Sequence, residues 1–500
     1  MATSRRCVLH LQQQQKLIQN LPCYLRKRLL LHTAPSPLEA VSSLNFDDNK
    51  STNNFAAPVT NSDNNKIIDL DDFKALFSRV PTKKLLKSSA TLQMAAYGPM
   101  VDLGMWVMNS SLIRIPILKE MILGSIESSF YEHFVAGKDL EQVNNTIKRL
   151  WGETGLRSML DYGLEHSTDN ESCDRNTIEF IKTIDSTKSL PPSSASFVVV
   201  KITAICPPSL LRKVSDLLRW EYKDPSFHLP WKVQTLPIFA DSSPFYHTPR
   251  RPQPLTKEEE QDLQLSHERL FKICQRCIES NIPLLIDAED STIQPAIDYF
   301  TYSSAIMYHK DDDPLVYGTI QTYLKDAKER LIKAKKASED LGTPVGFKLV
   351  RGAYMSSETE LASSLGLESP IHDNIEQTHD CYNTCASYML EKIANGSGSV
   401  VLATHNIESG RLAAAKAIDL GIEKENHRLQ FAQLYGMSDA LSFGLKNAGF
   451  QVSKYLPFGP VEQIMPYLLR RAEENRGLLS TSSLDRDLMR KELMRRFRFL

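Results

Sequence analysis

The sequence predicts an α/β protein: a (β/α)8 TIM-like barrel preceded by an all-helical N-terminal region. Beyond Trp151, eight short apolar or β-branched runs alternate with helix-patterned stretches, the order of a parallel barrel. The main rival is an open doubly wound sheet, but its phosphate fingerprint GxGxxG is missing. The GxG at Gly396–Gly398 precedes a strand, the wrong order for that fold. From Ile67 to Trp151 the pattern is helical throughout, as in LDDFKALFSRV and IPILKEMILGSIESSFYEHFVAG.

Residues 1–38 hold six Lys/Arg (Arg5, Arg6, Lys16, Arg26, Lys27, Arg28), no Asp or Glu, and scattered leucines. That is the make-up of a mitochondrial transit peptide rather than a secretory signal; a disordered basic tail is the alternative. Residues 39–66 are rich in Ser, Asn and Asp and read as a disordered linker. Residues 67–150 form the helical region. Within it TLQMAAYGPMVDLGMWVMNSSL is the most apolar stretch, but Pro99 and Asp102 interrupt it before it reaches the ~20 residues of a membrane span.

Residues 151–500 form the barrel and a C-terminal helix. The strand candidates are RSMLDYGLE (157–165), SFVVVKITAI (196–205), IPLLIDAED (282–290), LVYGTIQTYL (315–324), VGFKLVRGAYM (345–355), SVVLATHN (399–406), RLQFAQLYG (428–436) and QVSKYLPFG (451–459). Between the second and third lie about 75 residues, including the Pro-rich, aromatic SFHLPWKVQTLPIFADSSPFYHTPRRPQPLT. This reads as an insertion, over 221–262, whose role the sequence leaves open.

A net charge of -1 gives the chain no pull toward nucleic acid. Of the eight cysteines, Cys274/Cys277 and Cys381/Cys385 have spacings that could mean zinc, yet both pairs lie in helical stretches without a knuckle turn. They read as helix-packing residues, and no metal site is expected.

In a barrel of this kind, polar residues at the C-terminal strand ends point into the site. They are Lys201, Asp287, Gln321 with Tyr323, Lys348 with Arg351 and Tyr354, Thr404 to Asn406, Gln433 with Tyr435, and Tyr455. A buried charge costs several kcal/mol unless paired, so cations inside FVVVKITAI and GFKLVRG are not core residues by preference. The helix after strand eight adds Tyr467, Arg470, Arg471 and Glu474 at i, i+3, i+4 and i+7, one stripe of the helix. Adjacent arginines usually flank a solvated face. Here, with a tyrosine and a bracing glutamate on a helix leaving the functional rim, they read as a carboxylate clamp.

These residues reach a resemblance. Residues 151–480 resemble the proline dehydrogenase family through VKITAI, LLIDAED, TIQTY, KLVRGAYM, LATHN, QLYGM and above all Y-x-P-x-G with YLLRRAEEN. The ending LMRKELMRR is similar to the family's mitochondrial members. The resemblance implies FAD bound at the C-terminal rim of the barrel. It also implies oxidation of L-proline to Δ1-pyrroline-5-carboxylate, with hydride passing to flavin N5 and electrons going on to quinone or the respiratory chain.

By the matching motifs, Arg470 and Arg471 pair with the substrate carboxylate, Lys201 assists and Glu474 braces them. Tyr354, Tyr455 and Tyr467 wall the ring, Tyr455 excluding a 4-hydroxyl, and Asp287 influences the flavin. Gln321, Lys348 and the Val350, Arg351 and Gly352 backbone serve the ring and ribityl parts. Thr404, His405, Asn406, Gln433 and Tyr435 serve the nucleotide half. Lys348 and Tyr435 depart from the bacterial pattern, which carries an arginine and a histidine there.

The residues also fit this chemistry without the name: hydride loss beside an amine needs a fixed ring and an electron acceptor, not a nucleophile. A Schiff-base lyase using Lys201 or Lys348 and an inactive membrane-associated scaffold are the alternatives. The basic, apolar segment DRDLMRKELMRRFRFL is compatible with a helix on the inner-membrane surface, facing the matrix, and equally with packing against the barrel.

Overall fold

The computed structural model describes residues 67–99, 102, 106, 110, 116–352, 354–477 and 479–498; the transit-peptide and linker readings lie outside the described residues. Among the described residues the turn segment 228–233 groups apart, and 67–227 with 234–498 form one compact unit, which contains the barrel.

Eight parallel strands close on themselves: β1 (Arg157–Tyr162), β2 (Ala195–Val200), β3 (Leu284–Ile286), β4 (Val316–Gln321), β5 (Gly346–Val350), β6 (Val400–Ala403), β7 (Leu429–Leu434) and β8 (Val452–Phe458). Each falls within one of the eight apolar runs apart from a single residue, Ala195. Closure is made by β1, whose Leu160 lies opposite Val198 of β2 and Leu456 of β8. A hairpin of His309–Lys310 and Asp313–Pro314 stands apart from the barrel sheet.

Side chains alternate across a strand, so every second residue enters the lumen. Met159, Phe197, Val199, Leu285, Tyr317, Val401 and Ala432 fill one apolar layer there. Gly346 on β5 makes room for it: a Cβ at that position would stand 2.2 Å from the Tyr317 ring. Two residues further along three of these strands, the same alternation brings in Asp161, Lys201 and Asp287. The apolar layer is the floor on which the polar one stands.

Before the barrel come α1 (Phe73–Phe77), α2 (Thr82–Ala96), α3 (Pro116–Ile126) and α4 (Leu140–Thr154). The remaining helices are α5 (Asn170–Ser186), α6 (Pro208–Lys223), α7 (Lys257–Glu279), α8 (Gln294–Met307), α9 (Ala327–Asp340) and α10 (Met355–Ser364). They continue with α11 (Ile375–Ala394), α12 (Ile407–Asp419), α13 (Asp439–Asn447), α14 (Val461–Gly477) and α15 (Leu479–Phe497). The connection from β2 to β3 therefore holds two helices, with irregular chain from 224 to 256 between them. α7 starts where the sequence turns acidic: Thr256 and Glu259 form a reciprocal capping box, and Glu258 to Glu260 fill its first turn.

The C-terminal helix packs inward. Leu488, Met489 and Leu493 of α15 are buried, and Arg496 donates to the carbonyls of Phe77 and Val80 at 2.7 and 2.8 Å. Asp485 accepts the Asp439 and Ala440 amides at the start of α13, where Ser438 makes no side-chain cap. Met494 and Phe497 remain exposed. Cys274, Cys277 and Cys385 are buried on their helices. Among the described residues no helix is long and apolar enough to cross a membrane.

Candidate active site

Lys201 stands just beyond β2 and is nearly enclosed. Its Nζ lies 3.2 Å from Asp161 of β1, 3.4 Å from Asp287 after β3, 3.8 Å from Glu165 after β1, and 3.4 Å from the Tyr455 hydroxyl of β8. Tyr455 donates to Asp287 Oδ2 at 2.6 Å, and Lys348 of β5 pairs with Asp287 Oδ1. The Lys348 ammonium also lies 5.5 Å from the centre of the Tyr455 ring. Four strands thus join Lys201, Asp287, Lys348 and Tyr455 into one lumen cluster.

Its electrostatics are those of buried but matched charges. Burial alone would lift the Asp287 carboxyl; Lys348 and Lys201 instead hold it down at about 2. Burial would likewise strip Lys201 of its proton, but Asp161, Asp287 and Glu165 raise it above its ordinary value. A permanently charged ammonium is no nucleophile, which counts against the Schiff-base alternative at Lys201. Burial, then Asp161 and Asp287, push the Tyr455 hydroxyl well above its usual range, so it remains a hydrogen-bond donor.

The arginine pair sits on α14, which leaves β8 across the same rim. Arg470 meets Glu165 with both terminal nitrogens, at 2.8 and 3.3 Å. Burial would lift the Glu165 carboxyl, yet Lys201 and Arg470 hold it below its ordinary range. Arg471 lies 5.2 Å over the Tyr467 ring. The neighbouring guanidiniums therefore turn different ways, Arg470 to the Glu165 carboxylate and Arg471 over the Tyr467 ring. Tyr354 is close enough to Glu289, Arg470, Glu165 and Lys201 for their charges to act on its hydroxyl, which burial raises. The expected brace at Glu474 lies outside the described side chains.

On the opposite side of the rim, Arg351 organises a second cluster. Its guanidinium rests 4.0 Å over the Tyr382 ring and donates to Ser409 Oγ at 3.0 Å, to Thr404 Oγ1, and toward His379 at 3.2 Å. Thr404 Oγ1 accepts the Asn406 amide, and Asn406 caps α12 by accepting from Ser409 N at 2.8 Å. Gln433 reaches the Thr404 carbonyl at 3.3 Å. His405 Nε2 accepts the Leu434 amide, and burial, then Lys454 and Arg471, lower this imidazole to about 3. It is a neutral acceptor rather than a general base. Tyr435 is buried and donates its backbone N–H to the Tyr455 carbonyl. The Val350 carbonyl accepts from Thr322, and Gly352 turns the chain at φ +80°.

Between the clusters, Gln321 donates to the Glu289 carbonyl at 2.8 Å and to the Tyr323 hydroxyl at 3.0 Å, while its Oε1 is buried without a hydrogen-bond partner among the described residues. A buried orphan acceptor at a strand end fits a heterocyclic N–H such as a flavin supplies. Glu289 accepts from Thr203 N and Oγ1 at 3.3 and 2.9 Å, and burial lifts it to about 8.

Asp161, Glu165 and Glu289 were not anticipated among the site residues, nor were His379, Tyr382 and Ser409. The first two had a signal: a carboxylate inside the apolar run RSMLDYGLE poses the same problem as Lys201 in its neighbour, and each solves the other's.

The proline dehydrogenase family profile matches residues 143–483. The chain is 59% identical over 431 residues to Proline dehydrogenase 1, mitochondrial, of Arabidopsis thaliana, covering 86% of each. It is 57% identical over 431 residues to Proline dehydrogenase 2, mitochondrial, of the same plant, covering 86% of this chain and 90% of that one. Among solved structures it is similar to proline utilization A from Bdellovibrio bacteriovorus inactivated by N-propargylglycine, with a TM-score of 0.56 and 19% identity. That match covers 84% of this chain and 40% of the bacterial one, and it shows the fold. Profile, identity and barrel agree: the chain belongs to the proline dehydrogenase family.

Proposed function

We propose that this protein oxidises L-proline to Δ1-pyrroline-5-carboxylate with FAD as its cofactor. The observation that carries the reading is the placement of Arg470 and Arg471 on α14, facing a lumen cluster of Lys201, Asp287 and Tyr455.

The substrate carboxylate takes the Arg470 fork in exchange for Glu165, with Arg471 and Lys201 adding positive charge. Tyr354, Tyr455 and Tyr467 wall the ring. Tyr455 is immobile for this task because its hydroxyl is committed to Asp287. Gln321, Lys348 and the backbone of Val350, Arg351 and Gly352 would hold the flavin ring and ribityl chain; Thr404, His405, Asn406, Gln433 and Tyr435 would hold the nucleotide half, the side to which the Arg351 guanidinium turns. Bound flavin supplies the two-electron acceptor for hydride leaving the carbon beside the ring nitrogen. That carbon gives up hydride only when the amine is neutral, so the protein must fix a deprotonated ring while excluding water.

Electrons then pass to a quinone-class acceptor, and the protein works in the mitochondrial matrix at the inner-membrane surface. Supporting this, Arg490, Lys491, Met494 and Phe497 of α15, with Arg498 just beyond it, are exposed along one stripe while Leu488, Met489 and Leu493 are buried.

The test is anaerobic. The purified protein should show a flavin spectrum that bleaches on addition of L-proline, and Arg470→Met with Arg471→Met should abolish the bleaching while keeping the colour. A protein that stays colourless when prepared with FAD, or a yellow one indifferent to proline, would overturn the reading.

A further inference from the structure

The residue four beyond Tyr354 does something the clamp does not explain. Glu358 is buried on α10, the helix that begins directly after Tyr354, and its backbone N–H donates to the Tyr354 carbonyl at 3.1 Å. Its carboxylate reaches across to the loop that follows Asp287 and Glu289. There Oε1 accepts the Ser291 backbone N–H at 2.7 Å and Oε2 accepts the Ser291 hydroxyl.

Ser291 is held from two further directions. Arg219 of α6, 1% exposed, donates to its carbonyl at 2.5 Å and to that of Thr292 at 3.1 Å. His247, within the irregular segment between α6 and α7, places Nε2 2.9 Å from Ser291 Oγ. Burial, then Arg219, keep His247 neutral, so with the serine proton committed to Glu358 the imidazole donates from Nε2. All the hydrogen-bonding groups of Ser291 are thus spoken for by three separate segments.

The irregular segment is itself anchored. Tyr222, Phe239 and Phe245 meet with ring centroids 5.3–5.4 Å apart, Ser243 donates to Asp326 at 2.6 Å, and Thr248 donates to Asp216 at 2.5 Å. The helix that a substrate-walling tyrosine leads into is therefore tied, through one serine, to the loop carrying Asp287 and to a braced insertion.

We propose that Glu358, with Ser291 and His247, forms a clasp that sets the distance of Tyr354 from the Lys201–Asp287 cluster. It thereby fixes the size of ring the site accepts, and the insertion after β2 is its outer brace. Glu358 and His247 are positioning residues; neither touches the lumen cluster. The proposal rests on the proline-oxidising reading above.

Flavin-loaded full-length protein is compared as wild type, Glu358→Ala, Glu358→Gln and His247→Ala. Glu358→Ala should raise KM for L-proline about tenfold with kcat within about twofold, and narrow the preference for L-proline over the six-membered L-pipecolate about fivefold. Glu358→Gln keeps an acceptor for the Ser291 amide and a partner for its hydroxyl, so it should restore most of both. His247→Ala should move both in the same direction by a smaller factor. Unchanged KM and ring preference in Glu358→Ala, or a loss that Gln does not rescue, overturns the proposal. If Glu358→Ala does not fold, Ser291→Ala and His247→Ala carry the same comparison.

Hydrogen exchange over 288–293 and 354–364 reads the clasp without turnover. Faster exchange of both segments in His247→Ala is expected, and unchanged exchange overturns the clasp. Faster exchange in His247→Ala beside a wild type that oxidises no proline would overturn the activity reading alone.

Discussion

Arg470 and Arg351 stand on opposite sides of one rim in different company. Arg470 meets the Glu165 carboxylate with two nitrogens. Arg351 has an aromatic ring, two hydroxyls and an imidazole, and among the described residues no carboxylate lies in ion-pair range of it. Burial accordingly lowers the Arg351 pKa. A guanidinium already holding a carboxylate can exchange it for another of the same shape at little cost in desolvation. One with only neutral partners retains charge for a resident anion, such as the phosphates of a bound nucleotide. The first arrangement suits a substrate that comes and goes, and the second a cofactor that stays.

Replacing Arg470 by Met should have the largest effect. It removes the fork and leaves Glu165 and the substrate carboxylate facing each other, so kcat/KM for L-proline should fall about 10³-fold or more. Flavin content, read from the visible spectrum, should be unchanged. Loss of flavin together with activity would break the comparison. Arg351→Met should give the reverse pattern: flavin affinity weaker by about 10²-fold in a titration of the stripped protein, with KM for proline in the flavin-saturated protein within about twofold.

How much of this was legible in the sequence follows from where each partner comes from. The eight strands were legible because short apolar runs between helical stretches have few other meanings, and Lys201 and Lys348 stood out as cations inside such runs. Asp161 lies in a run that reads as a strand, but a single carboxylate near a strand end is equally what a solvated rim carries, and only the neighbouring strand's Lys201 at 3.2 Å gives it a role. The company of Arg351 was not legible at all. His379 and Tyr382 lie on α11, and Ser409 on α12, so only the closing of the barrel brings them to it. The arginine pair was visible as a doubled cation, but nothing in RRAEEN says that Arg470 turns to Glu165 while Arg471 lies over Tyr467.

A smaller effect sharpens the substrate side. Tyr455→Phe keeps the ring wall and removes the hydroxyl that donates to Asp287 at 2.6 Å and lies 3.4 Å from Lys201. Asp287 keeps Lys348 and Lys201, so the charge balance survives and one hydrogen bond is lost. kcat/KM should fall about tenfold, with a measurable shift in flavin reduction potential, since the altered carboxylate lies in the lumen rather than beside Arg351. An unchanged potential would mean that Asp287 acts on the substrate alone.

The smallest effect bears on whether the substrate side is charge-matched at all. Lys201, Lys348 and Arg470 face Asp161, Asp287 and Glu165; Glu289 would be a fourth carboxylate, but burial lifts it to about 8. Its folded pKa lies above the unfolded value of about 4.3, so the unfolded chain loses this proton first. The stability contributed by the neutral carboxyl is fully present below about pH 4 and is lost as pH rises toward 8. Glu289→Gln is neutral at every pH and lacks that slope, so Tm of the variant minus Tm of the wild type should rise between pH 5 and 8, by about 3 °C. Asp298 and Asp485, lifted by burial to about 6 and about 7, titrate in both proteins and cancel in the difference. A flat difference would mean that Glu289 is already ionised in the fold. The lumen would then hold Asp161, Asp287, Glu165 and Glu289 against Lys201, Lys348 and Arg470, and the incoming proline carboxylate would have to draw its balancing charge from Arg471 over Tyr467.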